Sequence, residues 1–173
     1  MKSLFKNLPL KKWLSITKSS IKRNAYADSW RLAKREREQF VAIKEKADEE
    51  KLVKVQAYVR QTLIPFDFTD EELFQVSECV VSLVVHGVVV PTLPIKIEKT
   101  GKKEQLTQHD LANLSWNIAY QYNLQNKLAA QFAQYTFLAW FWNTTTDTLA
   151  KKLKNRSNDL FIKIDENILE INK

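Results

Sequence analysis

Residues 128–142 read LAAQFAQYTFLAWFW, in which only Gln131, Gln134 and Thr136 are polar and none is charged. A run this long with no turn residue predicts a helix apolar on nearly every side. At about 1.5 Å per residue it rises roughly 22 Å, short of the roughly 30 Å hydrocarbon layer of a bilayer. It is therefore expected as the central helix of a core rather than as a membrane span. Lys127 at one end and a run of threonines at the other fit that reading.

A second periodic stretch covers residues 28–63, where neither proline nor glycine occurs and helix-favouring residues dominate. Asp28 or Ser29 can cap its start, and Ile64-Pro65 forces its end. Its apolar positions Phe40, Ile43 and Ala47, then Leu52, Val55, Val59 and Leu63, form a narrow stripe among mixed charges. Lys44–Asp48 and Lys46–Glu50 stand at i,i+4 and can pair. A narrow stripe suits a solvated helix lying on the body, or one that extends past the core or pairs with a partner helix.

Thr69 with Glu72 has the spacing of a capping box, and Asp70, Glu71 and Glu72 complement a helix dipole rather than form an acid–base cluster. The helix from 70 to 86 is expected to stop at Gly87 in the left-handed region. The β-branched run from Cys79 to Val90 leaves a strand as the competitor. Pro91 and Pro94 impose extended chain over 88–98, and 99–103 is turn-like, so a small β-hairpin near 88–106 is an option, pairing 95–98 with 104–106. Thr107 as cap and Asp110 three residues later open the next helix, near 108–122, with Leu111, Leu114, Ile118 and Tyr122 on one face and Trp116 and Tyr120 on another. A weak break at 123–126 precedes the apolar helix at 126–142. Asp147 is expected to cap a short basic helix. In the tail, Leu160, Ile164, Ile168 and Ile171 fit a helix, with two short strands as the alternative. The fold class expected is mainly α, a helical domain around the central apolar helix.

Composition agrees. Two glycines in 173 residues disfavour a β-barrel or a phosphate-cradling α/β fold. The single cysteine, Cys79, permits no internal disulfide and is expected as a buried small hydrophobe.

Charge changes the picture most. The formal net charge is +7. Residues 1–24 contain Lys2, Lys6, Lys11, Lys12, Lys18, Lys22 and Arg23 and no acid, so the rest of the chain is balanced and the whole excess lies in this arm. The arm lacks the apolar core of a secretory signal, and its acid-poor start only faintly fits a mitochondrial transit peptide. After Pro9, Leu10, Trp13, Leu14, Thr17 and Ile21 follow a helical face. Basic amphipathic segments of this kind dock on nucleic-acid phosphates, acidic protein surfaces or, less favourably here, anionic membranes. The organisation expected is a basic arm, 1–24, and one helical domain, 25–173.

No catalytic motif accompanies it. His86 and His109 have no neighbour at metal-ligand spacing, Gly101 stands alone beside Lys102, and no nucleophile elbow occurs. The aromatics between 116 and 142 lack the interleaved basic residues of a base-stacking platform, so they are expected in a core or a buried interface. The sequence points to a non-enzymatic component of a larger assembly, a nucleoprotein or virion-type complex of phage or mobile-element kind, located in the cytoplasm or within an intracellular assembly and not secreted. Its binding residues would be Lys6, Lys11, Lys12, Trp13, Lys18, Lys22 and Arg23, toward nucleic acid or an acidic partner, with a homo- or hetero-oligomer compatible. No metal or cofactor is expected. The alternatives are a peripheral membrane protein and a helical enzyme without a recognisable motif.

Overall fold

The computed structural model describes residues 10–88 and 96–170, with side chains described from residue 25 onward. The chain divides into two compact units, Met1–Asp48 and Glu49–Lys173. Among the described residues six α-helices form: α1 Leu10–Leu63, α2 Asp70–His86, α3 Gln108–Gln121, α4 Asn126–Thr136, α5 Leu138–Phe141 and α6 Thr146–Lys152. The fold is mainly α, as the sequence indicates. No strand forms among the described residues.

α1 starts earlier than the capping residues suggest. It runs from Leu10 through Asp28 and Ser29 without a break, so the basic arm and the helix after it are one element. Asp28 does not cap; its carboxylate pairs with Arg31 one turn on at 3.3 Å. Nothing local demands an end there, because no proline or glycine interrupts 10–63. In the first unit every residue with a described side chain is exposed. In the second, Val55, Val59 and Leu63 of the same helix are fully buried. The expected end comes at a 3₁₀ turn, Ile64–Phe66, carrying Pro65 in its first turn.

The second unit is built around α3 and α4. Residues 110 to 119 of α3 are buried without interruption. α4 packs on α2, α3, α5 and α6, so the first part of the apolar run is the hub it was expected to be. The run does not form one helix, however. It breaks at Phe137, where ψ turns to 49°, and only its inner side is covered: Ala129, Ala130, Phe132, Ala133, Phe137, Trp140 and Phe141 are buried, while Tyr135, Leu138 and Trp142 face outward. Tertiary hydrogen bonds hold the second piece. Trp140 donates its indole N–H to the Leu106 carbonyl at 2.9 Å, and its own carbonyl accepts from Gln108. Phe137 fills the break, making edge-on contacts with Phe68, Phe132 and Trp140 at 6.4, 6.3 and 6.1 Å.

Caps behave as read. Thr69 and Glu72 form a reciprocal capping box on α2, and Thr107 and Asp110 another on α3. Gly87 ends α2 at φ +62°, so Cys79–His86 is helix and not strand. Cys79 is buried.

Three further expectations are corrected. Glu104 and Gln105 lie in a 3₁₀ helix, Gly101–Gln105, so the hairpin with 104–106 as its second strand is not formed; 89–95 fall outside the described residues. The cap of α6 is Thr145, whose hydroxyl accepts from the Thr148 N–H, and Asp147 stands inside the first turn. The described tail, 157–170, is neither helix nor strand but a chain of turns and bends. Among the described residues no helix is long and apolar enough to cross a membrane.

Candidate interaction surface

The tail is held by side chains of α3. Asp110, Asn113, Asn117 and Gln121 recur at three- and four-residue spacing, on a face that the apolar pattern leaves aside. Asn113 donates from Nδ2 to the carbonyls of Asn155 and Ile162 at 2.8 and 2.9 Å and accepts from the Asn155 N–H at 2.9 Å. One turn later Asn117 donates to the Lys163 carbonyl and accepts from the Asp165 N–H. Asp110 accepts from the Ile162 N–H, and Gln121 donates to the Glu166 carbonyl. Each of these side chains stands in for a neighbouring strand. An irregular segment thereby satisfies its backbone without forming a sheet.

The other buried polar groups are also engaged in packing. The Lys103 ammonium reaches the Glu72 carboxylate at 2.5 and 2.6 Å and lies 5.2 Å above the Phe68 ring. Burial pushes the Tyr58 hydroxyl above its ordinary value, against the hydrogen bond from Asn117. Burial likewise raises the Cys79 thiol. Trp116 is buried, stacked on Tyr120 at 4.8 Å and covered by the Lys154 ammonium at 4.2 Å. His86 closes α2 and His109 lies in the first turn of α3. Among the described residues no group of three or more His, Cys, Asp or Glu side chains is placed to hold a metal ion.

The first unit offers a different surface. Trp30, Phe40 and Ile43 are 66%, 69% and 70% exposed, and Tyr26, Leu32 and Val41 are exposed with them. Between them Arg31 pairs with Asp28, and Lys34 reaches Glu38 at 3.9 Å. Exposed helical ion pairs of this kind contribute about 0.3–0.5 kcal/mol each. Helices in proteins owe most of their stability to packing of an apolar face, and here the apolar residues with described side chains are exposed.

The residues expected to bind sort as follows. Lys6 lies outside the described residues. Lys11, Lys12, Trp13, Lys18, Lys22 and Arg23 lie on the helical backbone of α1, and their side chains lie outside the described residues. The α3 ladder was not anticipated, although the spacing of Asp110, Asn113, Asn117 and Gln121 was there to be seen. Comparison with models of known protein families, with curated proteins and with solved structures found no match.

Proposed function

We propose that this protein is a non-enzymatic helical component of a larger nucleoprotein assembly, docking through residues 1–24 on nucleic-acid phosphates without sequence specificity. The observation that carries the reading is the charge layout: the full +7 excess lies in the first 24 residues, and the rest of the chain is neutral. Clustered lysines bind phosphate by displacing condensed counterions, which needs density of charge and no particular base contact. Helical backbone from Leu10 onward is compatible with it, because Lys11, Lys12, Lys18, Lys22 and Arg23 then follow one another along a single element. The uncovered apolar positions on the same helix support an assembly role, since solvent-exposed aromatics recur at partner surfaces.

Anionic membranes would meet the same charge with different consequences. Fluorescence anisotropy with mixed-sequence RNA and DNA, run beside sedimentation with phosphatidylserine vesicles, separates them. Nucleic-acid binding that weakens steeply with salt and varies little with sequence supports the proposal. Binding to the vesicles alone replaces it with peripheral membrane docking.

A further inference from the structure

We infer that residues 26–44 of α1 form a stacking face for single-stranded nucleic acid, with Tyr26, Trp30 and Phe40 taking unpaired bases and Arg37 and Lys44 taking phosphates. The inference rests on the nucleic-acid reading above and narrows it to unpaired strands. Tyr26, Trp30, Ala33, Arg37, Phe40 and Lys44 succeed one another by alternate steps of four and three residues, which keeps them along one line of the helix. All six are exposed. Rings and cations therefore interleave on one open surface, the arrangement that the aromatics between 116 and 142 lack.

Charge chooses the occupant. At 3.6 residues per turn the acids of this stretch stand away from the line, Glu36 by about 80°, Glu38 by about 120° and Asp28 by about 160° from Tyr26. Asp48, one turn past Lys44, closes the run. An apolar helix laid along the line would have to bury Arg37 and Lys44, and a charge left unpaired out of water is costly. A nucleic-acid strand offers a phosphate to each cation and a flat face to each ring, and Arg adds a cation–π contact of its own. A groove of about 420 Å³ lined by Trp30, Ala33, Lys34, Arg37 and Glu38 opens beside the line. The one acid there, Glu38, is already met by Lys34 at 3.9 Å. Unpaired bases are required because a duplex keeps its base faces stacked inside, where a surface ring cannot reach them. Stacking and phosphate contact are indifferent to the 2′-hydroxyl, so DNA and RNA strands are equivalent ligands.

Fluorescence anisotropy on the full chain tests it, with a short mixed-sequence single strand and the duplex of the same length as probes. Changing Tyr26, Trp30 and Phe40 together to alanine should weaken single-strand binding by about tenfold or more and leave duplex binding unchanged. The loss should persist at high salt, because stacking is not screened as phosphate contacts are. Leu32→Ala, exposed but on another side of the same helix, should change neither affinity. The variant with Lys11, Lys12, Lys18 and Lys22 changed to glutamine should instead weaken both probes. Single-strand affinity that survives loss of the three rings overturns the inference, and so does an equal loss for both probes. If that happens while the glutamine variant still weakens both, the reading of the arm stands alone. Wild-type protein that binds neither probe overturns both readings and returns this face to a protein partner.

Discussion

Asn113 makes three hydrogen bonds to backbone groups that have no ladder of their own. Replacing it with alanine strands these groups inside the fold, and each buried polar group left unpaired costs about 1–3 kcal/mol. Asn113→Ala is therefore expected to lower the urea midpoint well beyond the effect of Asn158→Ala on the exposed surface, and equal midpoints would contradict the assignment. Titration offers a second check on single residues. Burial raises both Cys79, from 9.0, and Tyr58, from 10.0, so the native state keeps protons that the unfolded chain gives up first. With fewer protons bound in the unfolded state, stability must fall as pH climbs above about 9. Tyr58→Phe and Cys79→Ala should each flatten that alkaline decline in melting temperature. The buried cysteine was legible in the sequence from its apolar neighbours. The role of Asn113 and Asn117 was not, because polar residues on a helix read as its solvent face until a tail is known to cover them.

Three boundaries with local punctuation were read correctly, at Thr69 with Glu72, at Gly87, and at Thr107 with Asp110, whereas Asp28, Ser29 and Asp147 do not cap. At Gly87, φ is +62°, where a β-carbon is strained. Gly87→Ala should cost about 1 kcal/mol despite the open space around it, seen as a drop in melting temperature of a few degrees. Elements whose limits depend on distant contacts were misread. α4 and α5 part at Phe137 because Trp140 is fixed by Leu106 and Gln108, more than thirty residues away in the chain. The tail lost its helix to the amides of α3. Phe132, fully buried on α4, was placed correctly as core. Phe132→Ala is expected to cost about 3–5 kcal/mol, a large share of a domain's 5–15 kcal/mol. A melting temperature within a degree of wild type would show the ring to be dispensable for packing.

For the molecule as a whole, the charge balance and the mainly α class were legible because both are sums over many residues. What the arm touches is a property of a second molecule, and no pattern within one chain names it. The central claim is that residues 1–24 bind nucleic-acid phosphates, and one titration tests it most directly. Affinity for a mixed-sequence duplex is measured against salt concentration for the wild type and for a variant with Lys11, Lys12, Lys18 and Lys22 changed to glutamine. Each phosphate contact removed should lower the slope of log K against log salt by roughly one, so the variant is expected to bind more weakly with a slope shallower by up to about four. An unchanged affinity and slope would contradict the claim.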